Sequence, residues 1–322
     1  VGAFTQANLT SLIRNTISTT TSNDMVVIGF EATPAADNFD QSTLGNGRVF
    51  FASVAADRTI TGAAGNGTLT PGLADLANNV VGNGSTNRVY RLGGRNSNAL
   101  IINLNGTGNL NDVGGATDVM IGTQANLGPS SNWGLGQVVM LDQNTYTGQT
   151  TVSRGSTLRF QTTSTATAGP LGGLTAGTSA APIHVYGTLQ VEANGTFRDA
   201  AGTANAYTNI NLHPGSSLVL LDNNATTNAN RWNDTTGINL DGARFTLDAA
   251  NNVDLSAETV GAITFDRGAR IQTVNQGTSE ILLTAASITR AAAGPGAGTG
   301  RGTMVFTPGA SGNLGLSSVT NN

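Results

Sequence analysis

The stretch Thr151-Val152-Ser153-Arg154-Gly155-Ser156-Thr157-Leu158-Arg159-Phe160 decides the fold. Val152 ends a short strand, Gly155 marks a corner, and Leu158 and Phe160 alternate with polar residues in a second strand. The unit recurs as Val185, Gly187, Leu189, Val191, then as Leu212, Gly215, Leu218, Leu220, and then as Leu240, Gly242, Phe245, Leu247. It continues through Phe265, Gly268, Ile271 and ends at Gly302, Met304, Phe306. The glycines fall 32, 28, 27, 26 and 34 residues apart, a loose period with insertions between units.

Such spacing marks a solenoid in which each repeat is one coil. Strand alternation sends Leu218 and Leu220 inward and Ser217 and Val219 outward. Glycine suits the corners because it accepts positive φ. The expected fold class is therefore all-β, a right-handed parallel β-helix with a small N-terminal helical or irregular cap. An antiparallel β-sandwich is the alternative that short strands and frequent turns also allow.

Composition agrees with a thin core. The chain has 322 residues with 43 glycines, 38% hydrophobic residues and only 5% aromatic ones, too few large side chains for a broad globular interior. A stacked coil needs only one or two inward aliphatics per strand. There is no cysteine, which excludes a disulfide framework and a thiolate metal site. All 15 basic residues are arginines, and the net charge of −4 offers no footprint for nucleic acid or an anionic membrane. No apolar run is long enough for a membrane helix, so direct membrane insertion is not expected. The opening Val1-Gly2-Ala3-Phe4 is expected to be a processed terminus or a cut within a longer chain.

Before the regular units, Leu9, Leu12, Ile13 and Ile17 predict a helix from Thr5 to about Ser18, which either covers the open end of the solenoid or packs on its side. Met25–Ile28 and Val49–Phe51 read as strands, and Pro71 to Val81 as a second short helix. Two regions follow: 1–87, a cap with the first irregular coils, and 88–322, the repeat-containing β-helix.

One segment carries a more specific pattern. Residues 131–160 hold Gly136, Val138, Met140, Asn144, Tyr146, Gly148, Thr150, Val152 and Gly155 at the spacing of a G-x-L-x-L-x-G-x-N-x-Y-x-G-x-T-x-V-x-x-G-x-L string, with Thr147 and Thr151 at intervening places and Leu158 one residue beyond the final leucine. In this the chain resembles the autotransporter-associated β-strand repeat, over about a tenth of its length. Arg91-Leu92-Gly93-Gly94 and Val119-Met120-Ile121-Gly122 are similar to the lead-ins of that repeat. The resemblance implies a right-handed β-helix on the bacterial surface, in large adhesins or passengers of type V secretion, with no catalytic residue. Two departures stand out: Asp142 occupies the place of the usual glycine, and the chain ends Ser317-Ser318-Val319-Thr320-Asn321-Asn322 without barrel-like segments.

Because β-helices also carry glycan-processing enzymes, catalysis has to be weighed on residues. Glycoside hydrolysis needs two positioned carboxylates. The candidates are Asp234, Asp241, Asp248, Asp254, Glu258 and Asp266, of which Asp241, Asp248 and Asp266 are able to line up across coils. Beside glycine they read better as solvated turn residues. A lyase base would have to be Arg244 or Arg270. His184 and His213 flank corners without metal-like spacing and read as surface residues. Asp222-Asn223-Asn224 with Asn228, Asn230, Asn233 and Asp234 offers calcium-type oxygens but lacks the calcium β-roll nonapeptide, so a polar loop is expected. Gly65-Asn66-Gly67, Gly294-Pro295-Gly296 and Arg91–Arg95 are turns, not phosphate loops.

The expectation is a secreted, extracellular or surface-bound structural or adhesive protein, neither an enzyme nor a cofactor binder. A polysaccharide-degrading or glycan-binding β-helix is the alternative, with a host or surface glycan as a partner. With no lysine to guard its strand edges, the chain is also expected to form homo-oligomers or filaments. Thr303-Met304-Val305-Phe306 either completes its own last coil or is donated head to tail to the next copy.

Overall fold

The structure, a computed structural model, describes residues 4–13, 26–34, 36–61, 68–73, 87–104, 110–123, 135–141, 144, 146–162, 182–193, 209–222, 231–232, 234–249, 255–275, 280–291 and 302–308. Two long sheets follow chain order. A ten-stranded sheet runs Val26–Phe30, Val49–Ser53, Arg88–Gly93, Thr117–Ile121, Thr150–Val152, Ile183–Val185, Asn209–Leu212, Gly237–Asp241, Leu255–Asp266 and Glu280–Arg290. A nine-stranded sheet runs Arg58–Thr61, Ala99–Asn103, Gln137–Met140, Thr157–Thr162, Thr188–Ala193, Ser217–Leu221, Arg244–Ala249, Gly268–Asn275 and Thr303–Pro308. All pairings in both sheets are parallel.

This is a parallel β-helix: each turn adds one strand to each sheet, and the two sheets meet at the glycine-marked corner. The sandwich alternative is excluded, since antiparallel contacts among the described residues are limited to the bridges Gly72–Val89 and Arg95–Asn98. A short third wall pairs Phe39–Asp40 with Leu69–Thr70. Sheet pairing crosses residue 87 without a break, with Phe51 beside Leu92 and Ala52 beside Gly93.

Register turns alternation into columns. In the ten-stranded sheet Ile121, Val152, Val185, Leu212, Leu240 and Phe265 stack coil upon coil. In the nine-stranded sheet Leu158, Leu189, Leu218, Phe245 and Ile271 do the same. Leu218 and Leu220 are buried while Ser217, Val219 and Leu221 are partly exposed, as alternation requires. Each fully buried aliphatic of this kind stabilises by about 1.5–3 kcal/mol. The interior is narrow, yet nearly every inward position contributes.

At the N-terminal end the helix Gln6–Leu12 starts at Thr5, whose side chain accepts from Asn8 N–H. Leu9 is buried in the common core, and Phe4 meets Phe30 edge to face at 5.6 Å, beside Phe39 and Phe51. Gln6 ties the helix down by accepting from Asp40 N–H and donating to Asp40 O. The helix thus packs on the interior of the first coils, as a cap does. It ends at Leu12, short of the expected Ser18, and residues 14–25 lie outside the described residues. Of the expected second helix, 74–81 lies outside the described residues, and its start is not helical because Gly72 bridges Val89.

The corner glycines correct a single-cause reading. Gly155, Gly215 and Gly242 have φ of 80°, 82° and 62°, as a left-handed corner requires. Gly187 does not have positive φ. It is needed because a Cβ there would lie 2.2 Å from the Ser156 carbonyl oxygen and 2.4 Å from that of Ser153. At the corner of Gly268 the left-handed position belongs to Arg267, with φ of 55°, and a Cβ on Gly268 meets nothing within 4 Å. Gly187→Ala should therefore cost several kcal/mol, and Gly268→Ala should stay within about 0.5 kcal/mol. Denaturant melts of the two variants check this; equal losses would contradict the close-approach account.

Candidate functional site

The segment that resembles the surface repeat folds as a clasp between coils. Asn144 Oδ1 accepts from Leu110 N–H at 3.1 Å, and Tyr146 N–H donates to Leu110 O at 3.0 Å. Thr147 reaches Asp112 twice, its N–H donating to Oδ1 at 2.9 Å and its hydroxyl to Oδ2 at 2.6 Å. Gly148 N–H donates to Thr117 O, and any Cβ at that position would sit 2.3 Å from the same oxygen. Gln149 N–H then donates to Asp118 Oδ1 at 2.8 Å. The preceding coil is gripped over 110–118.

Thr150 enters the inward column between Val119 and Ile183. Its hydroxyl would be an orphan there, and the buried Tyr146 hydroxyl shares a hydrogen bond with it at 2.8 Å. Burial drives the Tyr146 phenol far above its ordinary range, so it stays neutral and available. Thr151 and Val152 continue the strand, Gly155 turns the corner, and Leu158 rejoins the core. Asp112 carries no signal in the sequence, since nothing local to Asn111-Asp112-Val113 shows that it faces a coil 35 residues later.

The carboxylates separate into two groups. Asp241 and Asp266 are register partners on adjacent coils, at the corner. Arg267 Nε pairs with Asp241 Oδ1 at 2.8 Å, and Arg267 N–H donates to Asp266 Oδ1. Asp248 is not in line with them: it lies on the other sheet beside Val274. Asp234 is exposed, and Asp254 lies outside the described residues. Arg244 and Arg270 are register partners on the outer face of the nine-stranded sheet, and Arg270 donates to Thr307 Oγ1.

Glu258 is fully enclosed. Arg231 lies between Asp222 and Glu258, its Nη1 3.0 Å from Asp222 Oδ1 and its Nε 3.5 Å from Glu258 Oε2, with all three side chains at 0% exposure. Trp232 N–H donates to Glu258 Oε1 at 2.9 Å, and its indole N–H to Thr236 O. Asp222, a candidate calcium-type ligand in the sequence, has a guanidinium facing its carboxylate, while Asn223, Asn224, Asn228, Asn230 and Asn233 lie outside the described residues. Among the described residues no group of three or more His, Cys, Asp and Glu is placed to hold a metal.

His184 and His213 are 29 residues apart in the sequence, and the structure brings them together. His184 Nδ1 and His213 Nε2 are 3.0 Å apart. Their rings are 24° from coplanar with centroids 5.2 Å apart, so the nitrogens face each other along a shared hydrogen bond. Tyr186 lies flat on His213, 4.0 Å between centroids and 5° between planes. Burial pulls both imidazoles below the ordinary histidine range, which keeps the pair neutral near pH 7. The missed signal is the repeat period: His213 follows Leu212 as Tyr186 follows Val185, so adjacent coils superpose these corners.

Thr303, Met304, Val305 and Phe306 form the last strand of the chain's own nine-stranded sheet, beside Gly268–Asn275. Ile288 and Phe306 continue the inward columns of Ile263 and Ile271 yet are 45% and 48% exposed. Among the described residues, no coil is stacked on theirs.

The buried triad generates a pH test. Burial pushes the Glu258 carboxyl up to about 7, offset in part by Arg231 and by Trp232 N–H. A carboxyl raised in the folded state favours the protonated form, so its stabilising contribution is complete below its unfolded value, near 4.5, and is lost as pH rises toward 7. Stability should fall by a few kcal/mol over that window and level off above it. Glu258→Gln should flatten the slope, as measured by denaturant unfolding from pH 5 to pH 8; an equal slope in both proteins would remove Glu258 as its source.

No protein-family model, curated protein or solved structure matches this chain.

Proposed function

We propose that this protein is an extracellular structural and adhesive element of a bacterial surface, a rod of stacked coils that joins copies of itself head to tail. The observation that supports this is the last coil. Leu282, Ile288, Val305 and Phe306 are all close to half exposed, and the outer edges of Glu280–Arg290 and Thr303–Pro308 have no neighbouring strand among the described residues. An unpaired edge beside exposed apolar side chains is a template for a further strand. A head-to-tail contact does not close, so it propagates. The resemblance of residues 131–160 to a surface repeat supports the extracellular setting, and the clasp it forms is a structural device. The alternative is a glycan-processing β-helix; its best carboxylate pair, Asp241 and Asp266, is engaged by Arg267.

Light scattering and electron microscopy of the full chain should show concentration-dependent growth into filaments. A version truncated after Gly300 should remain small. Because truncation also removes a strand, Ile288→Glu with Phe306→Glu provides a folded comparison, with charges placed on the open coil. A full chain that stays monomeric at high concentration, or a charged variant that grows like the parent, would sink the proposal.

A further inference from the structure

We infer that the corner formed by Arg154, Tyr186 and the glycines Gly155, Gly187 and Gly215 binds an acidic sugar residue, a pyranose ring bearing a carboxylate. This deepens the adhesive half of the reading above by naming what the surface takes hold of.

The corner is an open groove of about 400 Å³, lined by Arg154, Ser156, Thr157, Tyr186, Thr188 and Pro214 together with the three glycines. Gly155 and Gly215 are left-handed corner residues two coils apart, and Gly187 on the coil between them lies in register with Ser156 and Ser216. Gly155 and Gly215, two coils and about 10 Å apart, carry no side chain, so the groove is open at both. Nothing lies within 4 Å of a Cβ built on Gly215, and only Leu135 within that range of one on Gly155.

One side of the groove is an aromatic surface. Tyr186 is 40% exposed, and its ring is held in orientation by the parallel imidazole of His213, itself hydrogen-bonded to His184. The Tyr186 amide donates to Val152 O at 2.8 Å, which fixes the backbone beneath the ring. An exposed, immobilised aromatic face with a polar surround suits the C–H face of a sugar ring.

The same groove carries a cation. Arg154 is exposed and has no hydrogen bond or ion pair among the described residues. Its planar guanidinium is matched to a carboxylate, which it binds bidentately. The protein's net charge is −4, so a general positive field does not gather anions here, and recognition depends on this local group. The aromatic surface selects the ring and the guanidinium selects the acid.

Calorimetric or NMR titration of the full chain with 3′-sialyllactose, with trigalacturonate and with lactose tests this, and the two acids separate a sialate from a uronate preference. At least one acidic sugar should bind ten-fold or more tightly than lactose. Arg154→Ala should weaken that binding at least ten-fold and Tyr186→Ala at least five-fold, while Tyr186→Phe stays close to the parent. Thermal melts of the variants establish that they fold. Binding unchanged in Arg154→Ala, equal binding of lactose, or no binding of either acid at millimolar concentration would overturn the inference. Light scattering of the same variants is read separately: normal growth without sugar binding refutes the groove alone, and sugar binding without growth refutes the assembly alone.

Discussion

Parallel, in-register stacking of inward side chains is the interaction on which the rest of this molecule depends. A coil by itself buries almost nothing. Val152 is enclosed because Ile121 lies on one side and Val185 on the other, and Leu218 because Leu189 and Phe245 do the same. Backbone hydrogen bonding and apolar burial therefore rise and fall together along the rod, with stability approximating a sum of neighbour terms. The helix Gln6–Leu12 is the device that closes this sum at one end.

Stacking imposes demands on everything between the strands. Corners must pass close to the preceding corner, which explains why Gly187 is needed without positive φ and why Gly148 sits against the Thr117 carbonyl. Polar groups that enter the interior must bring partners, as Thr150 does with Tyr146. The same rule governs Arg231, which is enclosed between two carboxylates instead of exposed to solvent. Buried Arg91 acts similarly on the outside of the ten-stranded sheet, donating to Gly47 O and Leu73 O and fastening two peripheral segments to the third coil. Arginine's several donors in a planar fork suit these tasks better than a single ammonium does, which is consistent with a chain whose cations are all arginine.

The same geometry produces the corner proposed above as a binding groove. Superposed corners place Tyr186 over His213 and bring Gly155, Gly187 and Gly215 of three coils to one groove. None of these residues is unusual alone. A repeat of about thirty residues brings side chains from distant parts of the chain within contact distance, and small departures from the repeat, a tyrosine here or a histidine there, acquire neighbours that a compact fold would not supply. The corner of Asp241 and Asp266 shows the same effect with a different outcome, since Arg267 on the next residue engages both.

The fold was legible in the sequence by itself because a solenoid writes its period into the chain. Corner glycines at similar spacing, flanked by alternating Leu158 and Phe160 or Leu218 and Leu220, specify both the coil and the inward face, and strand alternation is a local property. Tertiary structure alone decided which coil each side chain meets. The His184–His213 contact, the grip of Thr147 on Asp112 and the enclosure of Arg231 by Asp222 and Glu258 span 29, 35, 9 and 27 residues. The insertions between units make such separations irregular, so no fixed spacing announces them. Gly155 and Gly187 likewise look identical in the sequence, but the first answers a backbone dihedral and the second an approaching carbonyl, and only the neighbouring coil tells them apart.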